Sequence, residues 1–189
     1  MTVRIISGER RGAHLRTPDG DATRPLRDRV REALFNTLRG DVRDARVLDA
    51  FAGSGAVGLE ALSNGAEHAV FVEPAPPAAR VIHENIAKLR YADRTLVLRG
   101  RSPDVLHKPL SIQPFTLLFL MPPYHSGLCQ QVLADPGALA RCAPDALAVC
   151  EVHKEETFEP PEGWTMNREK LYGITRLVYL QRSLPPSGA

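Results

Sequence analysis

The chain has 189 residues, 43% of them hydrophobic, and its charged residues nearly balance to a formal net charge of +2. This size and composition predict one globular domain that buries an ordinary core without the help of disulfides or metals. No apolar stretch approaches the roughly 18 residues that a membrane span requires, and the charged N-terminus is unlike a signal peptide, so we expect a cytoplasmic, monomeric protein with no membrane partner.

The N-terminal segment is strongly basic. Residues 1–31 hold eight arginines against four acids, a pattern expected of a surface that contacts a phosphate backbone, although a solvated surface segment gives the same count. The stretches VRIISG and AHLRTP predict two short strands around the polar turn ERRG. Leucine and valine then recur every four residues, which predicts an amphipathic helix from Leu26 to Arg39, closed by Gly40.

The rest of the chain alternates between apolar strands and helices. This alternation predicts a mostly parallel sheet with helices on both faces. Two final stretches, WTMNREKLYG and ITRLVYLQ, break the alternation and predict an antiparallel hairpin at the sheet edge. In chain order we expect strands at 46–51, 69–73, 95–100, 115–120 and 146–152, helices at 56–65, 78–90 and after Gly127, and a short helical turn at 103–107.

The segment DAFAGSGAVG, residues 49–58, joins the first of these strands to its helix. Ligands of parallel sheets bind at the carboxyl ends of the strands, and Gly53, Gly55 and Gly58 match the G-x-G-x-x-G pattern of dinucleotide sites. Asp49, however, would repel a pyrophosphate and attract the cationic amino-acid end of S-adenosylmethionine. Glu73, at the end of the next strand, can accept hydrogen bonds from both ribose hydroxyls. These residues favour S-adenosylmethionine; the alternative is that Asp49 caps a turn and Glu73 is a solvated strand end.

A second candidate site is the turn MPPY, residues 121–124, which follows the apolar strand FTLLFL. Two prolines fix the backbone and remove two donors, which leaves carbonyls to point at a group in the cleft. Tyr124 offers a flat face on which a base can stack. His125 adjoins the turn and is a candidate base, although a histidine in a polar loop is more often simply exposed.

Cysteine and histidine patterns indicate no further site. The three cysteines form no C-x-x-C pair, so neither a disulfide framework nor a zinc site is indicated, and we expect small core residues at Cys129, Cys142 and Cys150. The histidines are dispersed and lack metal-ligand spacing. We therefore expect no metal.

Taken together, the motifs resemble the RsmD family of bacterial 16S rRNA guanine methyltransferases over nearly the whole chain. The matching stretches are RIISGERRG, RPLRDRVREALFNTL, VLDAFAGSGAVGLEAL, VEPA, ENIAKL, MPPY and REKLYGITRLVYLQR. The resemblance implies an α/β, Rossmann-like class I methyltransferase that moves a methyl group from S-adenosylmethionine to the exocyclic amine of a guanine in 16S rRNA, either free or in a small-subunit assembly particle. It also implies a single domain at 1–189, with a basic RNA-binding extension at 1–40, a catalytic core at 41–183 and a tail at 184–189.

The same resemblance implies roles for individual residues. Pro122, Pro123 and Tyr124 would clamp the target base. The implied cofactor contacts are Asp49, Phe51, Gly53, Gly55 and Glu73, and the implied RNA-facing surface is Arg10, Arg11, Arg24, Arg27 and Arg31.

Two positions depart from the family pattern. Met121 replaces the Asp or Asn that accepts a hydrogen bond from the target amine, and Arg101 stands where relatives place an acceptor for the adenine amine, with Ser102 as a partial substitute. Because methyl transfer from a sulfonium depends largely on alignment, we expect a weakened enzyme. The alternatives are a degenerate paralogue that binds RNA or cofactor without catalysis, and a dehydrogenase or other small-molecule enzyme.

Overall fold

The computed structural model describes residues 3–18 and 28–183. The strands are β1 (Val3–Arg4), β2 (His14–Leu15), β3 (Arg46–Asp49), β4 (His68–Glu73), β5 (Thr95–Arg99), β6 (Phe115–Leu120), β7 (Cys142–His153), β8 (Trp164–Tyr172) and β9 (Thr175–Arg182). The helices are α1 (Asp28–Thr37), α2 (Ala56–Ser63), α3 (Pro76–Leu89), α4 (Leu128–Ala134) and α5 (Pro136–Leu139), with short 3-10 turns at Ala92–Arg94 and Asp104–His107.

Seven strands form one sheet in the order β5-β4-β3-β6-β7-β9-β8, and β1 and β2 form a separate antiparallel pair. The ladders from β5 through β7 are all parallel, whereas β9 is antiparallel to both β7 and β8. The predicted α/β class with a C-terminal antiparallel hairpin is therefore confirmed. Since β4 and β6 flank β3 on opposite sides, the chain reverses its direction of winding at β3, and this is where open α/β sheets bind ligands.

Two buried clusters lie on opposite faces of the sheet. One joins the inner side of α1, α2 and α3 to residues such as Phe71 and Phe119, and the other joins α4 to residues such as Val70 and Leu118. Burial on both faces explains why the central strands are continuous apolar runs. None of the helices in the described part of the chain is long and apolar enough to cross a bilayer.

Several boundaries differ from the sequence predictions. Helix α1 ends at Thr37, two residues before the expected end, and its predicted start at Leu26 lies outside the described residues, as does the tail at 184–189. Strand β7 begins at Cys142 because its first residues pair with Phe115 before a register shift in the ladder. One helix was expected after Gly127, but Asp135 begins a second by accepting a hydrogen bond from the Ala138 N–H.

Candidate active site at the carboxyl edge of the sheet

Asp49 ends β3 at the point where the sheet reverses its winding. Its side chain is 2% exposed, and its Oδ2 accepts a hydrogen bond from the Gly58 N–H at 3.0 Å. Burial raises the pKa of Asp49 from 3.8 to about 7; the hydrogen bond from Gly58 opposes this rise, and the nearby Glu73 carboxylate adds to it. A buried carboxyl with this pKa gains a proton readily and is held ionised when a cation lies beside it.

The three glycines of the loop have different roles. Gly53 and Gly55 have φ of +56° and +78°, the left-handed region that favours glycine, and Gly55 caps α2. At Gly58 a Cβ would lie 2.4 Å from Cε1 of Phe71, so this glycine lets α2 pack against β4. The match to the dinucleotide pattern is therefore partly a packing requirement.

Glu73 ends β4 and turns back onto the glycine loop. Its Oε2 accepts from the Gly53 N–H at 2.9 Å, and its Oε1 accepts from the Ala75 N–H at 2.8 Å. These two bonds hold the carboxylate in place, and each oxygen keeps a further lone pair with which to accept from a ligand. Sequence reasoning placed Glu73 at the end of its strand, and the structure adds that Glu73 and Gly53 are in direct contact.

Residues around this loop fit an adenosyl cofactor with a cationic amino-acid end. Two buried carboxylates at neighbouring strand ends can accept from an ammonium group and from ribose hydroxyls, and Phe51 is half-buried beside them. The Ser102 hydroxyl is buried and donates to the Ala50 carbonyl at 2.9 Å, so toward a ligand it can act only as an acceptor. Arg101 is exposed, and its guanidinium offers no acceptor for the adenine amine.

The turn 121–124 follows β6, so it lies next to Asp49 at the same edge of the sheet. Met121 is half-buried and packs against the core cluster that contains Phe119. Pro122 is buried and Pro123 is exposed. Tyr124 is half-buried, and its ring lies 5.4 Å from the ring of His153 in an edge-on arrangement.

Sequence reasoning missed two residues that contact this turn. The Tyr124 hydroxyl donates to Oε1 of Glu151 at 2.7 Å and lies 2.7 Å from Oγ1 of Thr175. Glu151 is an acid near the carboxyl end of a parallel strand, the same signal that identified Asp49 and Glu73, so it could have been found. Thr175 comes from the antiparallel hairpin and had no such signal. His125 is exposed and its ring packs 5.0 Å from that of His153.

The predicted RNA-facing arginines do not share one environment. Arg11 is exposed, and Arg10 is half-buried with its guanidinium 5.7 Å from the Tyr91 ring centroid. Arg24 and Arg27 lie outside the described residues. For Arg31 the prediction of an RNA-facing position is wrong, because its side chain is 0% exposed.

Arg31 is buried because it pairs with a buried acid. Its Nε lies 3.5 Å from Oε2 of Glu60, which is equally buried, and its guanidinium donates to the Arg4 carbonyl. Glu60 also accepts from the Ile6 and Ser7 N–H groups. This pair joins the N-terminal hairpin, α1 and α2. The helical periodicity of α1 gave no hint of this pair, because the partner of Arg31 lies 29 residues away in sequence.

Fold and site together define a Rossmann-like methyltransferase. The family model "Conserved hypothetical protein 95" matches residues 3–181. The chain is 37% identical over 184 residues to "Ribosomal RNA small subunit methyltransferase D" of Escherichia coli strain K12, covering 95% of this chain and 90% of the relative. It is 36% identical over 173 residues to the protein of the same name from Haemophilus influenzae, covering 91% and 90%.

Solved structures agree with the sequence comparisons. The structure of yhhF from Escherichia coli superposes with a TM-score of 0.84 at 34% identity, covering 97% of this chain and 99% of that one. The chain therefore belongs to the Conserved hypothetical protein 95 family, and its predicted resemblance to the RsmD methyltransferases is confirmed.

Proposed function

We propose that this protein transfers a methyl group from S-adenosylmethionine to the exocyclic amine of a guanine in 16S rRNA, either as free RNA or within a small-subunit assembly particle. The observation that carries the proposal is the arrangement of Asp49, Glu73 and the turn 121–124 on three adjacent strand ends. A methyl donor and an acceptor base would meet at this edge. The names of the relatives from Escherichia coli and Haemophilus influenzae support ribosomal RNA as the substrate.

On the cofactor side, the proposal assigns roles to the two buried carboxylates. When bound, S-adenosylmethionine supplies a methyl group activated by a sulfonium. Asp49 would hold the cationic amino-acid end, with its charge favoured by proximity to a cation. Glu73 would accept from the ribose hydroxyls while Gly53 keeps its carboxylate in place. Phe51, Gly55 and Ser102 complete the contacts that we propose.

On the base side, the turn 121–124 would hold the guanine. Tyr124 would stack on the base, as aromatic side chains do with unstacked nucleotides. The Pro122 carbonyl would accept one hydrogen of the target amine, and Pro123 helps to fix the backbone that carries it. Met121 offers no acceptor for the second hydrogen. The side chains therefore act here mainly by alignment of the amine.

On the RNA side, we propose that the N-terminal segment binds phosphates. Arg4, Arg11 and Arg16 are exposed in the described part of this segment. The segment is fixed to the core, because the Asn85 amide donates to the carbonyls of Arg16 and Ser54. Ser54 belongs to the glycine loop, so a phosphate-binding surface would stand at a fixed position relative to the cofactor.

A second candidate function is a degenerate relative that binds RNA without catalysis, and the methionine at position 121 is the observation that favours it. Calorimetry is the first test. We expect the protein to bind S-adenosylmethionine and the Glu73→Ala variant to bind it more weakly. Glu67→Ala, which changes an exposed acid, is the matched control. Binding of NAD without binding of S-adenosylmethionine would instead support a dehydrogenase. Methylation of small-subunit RNA then distinguishes an enzyme from a binder.

A further inference from the structure

The hydroxyl of Tyr124, in the turn after β6, contacts side chains from both β7 and β9. It donates to Oε1 of Glu151 on β7 at 2.7 Å and lies 2.7 Å from Oγ1 of Thr175, the first residue of β9. A phenol carries a single hydrogen. Since that hydrogen goes to Glu151, the Thr175 hydroxyl donates to the phenolic oxygen, and the Tyr124 hydroxyl both gives and receives a hydrogen bond.

Sheet register explains why these side chains meet. Leu120 pairs with Cys150 at the end of the β6–β7 ladder, so Met121 and Glu151 follow at neighbouring positions, and Glu151 remains paired with Leu177 of β9. Thr175 pairs with His153 across the next ladder and is buried. The contact with Glu151 is charge-assisted, and such hydrogen bonds are shorter and stronger than neutral ones. Glu151 and Thr175 therefore form a rigid hydrogen-bonding socket for the hydroxyl of Tyr124.

Hydrogen bonds at the hydroxyl fix only part of the ring's orientation. The oxygen lies on the axis through Cβ and Cγ, so anchoring it fixes the direction of the side chain but leaves the ring able to rotate about that axis. The ring of His153, 5.4 Å away with an interplanar angle of 61°, restricts this rotation. His153 is in turn packed 5.0 Å from His125. Together, these contacts hold both the direction and the plane of the Tyr124 ring.

We propose that Glu151 and Thr175 are positioning residues that hold the Tyr124 ring in the orientation needed to stack on the target base. The inference rests on the proposed function, in which Tyr124 receives the base. A ring that is already oriented loses little conformational freedom when the base arrives. Because small misplacements of a positioning group cost large factors in rate, loss of the socket should appear in turnover.

A double-mutant cycle between Glu151 and Tyr124 tests this role. We expect Glu151→Ala and Tyr124→Phe each to lower kcat about tenfold, by loss of a hydrogen bond to a charged group, with little change in the affinity for S-adenosylhomocysteine. The double variant should be no slower than either single variant, because both changes remove the same contact. Glu151→Gln, which keeps an acceptor, should retain most of the activity. Glu162→Ala, at an exposed acid in the loop before β8, is the matched control.

Two results of the cycle would overturn the proposal. If Glu151→Ala leaves kcat unchanged, the hydrogen bond from Tyr124 to Glu151 does not contribute to turnover. If it lowers kcat further in the Tyr124→Phe background, Glu151 acts on the substrate independently of Tyr124.

A spectroscopic measurement tests the positioning of the Tyr124 ring without depending on methylation activity. The chain has four tyrosines, so incorporation of 3-fluorotyrosine gives few fluorine resonances, and the Tyr124 resonance is the one missing in Tyr124→Phe. We expect Glu151→Ala to shift or broaden that resonance and Glu162→Ala to leave it unchanged. An unchanged resonance in Glu151→Ala would refute the positioning role even if the protein methylates RNA. A shifted resonance in a protein that methylates no RNA would support the socket and refute the proposed function.

Discussion

Asp49 should link both folding stability and cofactor binding to pH. In the folded protein, burial raises the pKa of Asp49 from 3.8 to about 7. Below about pH 4 the carboxyl is protonated in the folded and the unfolded states, so burial carries no charge penalty. As the pH rises toward 7, the unfolded state gives up its proton and the folded state keeps it. The free energy of unfolding therefore decreases over this window and levels off above pH 7.

The size of the effect follows from the shift. One pKa unit corresponds to about 1.4 kcal/mol, so a rise from 3.8 to about 7 lowers stability at pH 8 by about 4 kcal/mol. In Asp49→Asn the side chain cannot ionise, and its amide oxygen can still accept from the Gly58 N–H. We expect this variant to be more stable than wild type at pH 8 and nearly equal to it at pH 4, measured by urea denaturation. Asp41→Asn, at an exposed position, controls for the change in net charge.

Cofactor affinity should change with pH in the opposite direction to stability, and increase as the pH rises. The cationic amino group favours ionised Asp49, so binding below pH 7 expels the Asp49 proton and becomes tighter as the pH rises from 5.5 to 7, by at most about tenfold per pH unit. Calorimetry with S-adenosylhomocysteine should detect this proton release in wild type, whereas Asp49→Asn should bind weakly with no such slope. Equal stability of wild type and Asp49→Asn at pH 8, together with equal pH slopes for binding, would refute this reasoning.

Three further predictions concern the core, the turn and the N-terminal segment. Glu60→Ala should lower the free energy of unfolding by about 3–5 kcal/mol, because it removes the buried counter-charge of Arg31 and leaves only the half-exposed Asp28 carboxylate beside the guanidinium. Met121→Asp should raise kcat for RNA methylation by about one to two orders of magnitude, since it restores an acceptor for the amine, with little change in RNA affinity. Arg11→Ala combined with Arg16→Ala should weaken RNA binding and reduce its salt dependence by about two units of slope.

Each of these has an outcome that contradicts it. A Glu60→Ala variant that unfolds at the same urea concentration as wild type would mean that the buried pair is not needed for stability. A Met121→Asp variant no faster than wild type would show that another group already serves as the acceptor, and Glu151 is the first to examine because it follows Cys150, the strand partner of Leu120. An unchanged salt slope would remove Arg11 and Arg16 from the RNA interface.

Much of the fold could be predicted because its signals are local. Apolar strands alternate with helices, and the loop between Asp49 and Gly58 has a recognisable composition. The rule that ligands bind at the carboxyl ends of parallel strands is enough to predict that Asp49 and Glu73 lie at one edge of the sheet. The structure brings these carboxylates to the same loop, through the bond between Glu73 and Gly53.

What could not be predicted depends on contacts between residues far apart in the chain. The resemblance implied an RNA-facing position for Arg31, and helical periodicity does not reveal that Glu60 pairs with Arg31 inside the core. Glu151 and Tyr124 are 27 residues apart, and their contact follows from strand register rather than from any motif. Local patterns therefore identified the loops of the site, whereas the contacts that hold its side chains required the three-dimensional arrangement.

The most direct test of the central claim is to map the methyl group. The protein is incubated with labelled S-adenosylmethionine and with small-subunit RNA or particles from a strain that lacks the modification, and the RNA is then digested to nucleosides. We predict label on the exocyclic amine of one guanosine, and strongly reduced label with Tyr124→Ala because stacking worth about 1–3 kcal/mol is lost. Absence of label in the RNA, or label on a ring nitrogen or on another base, would contradict the account.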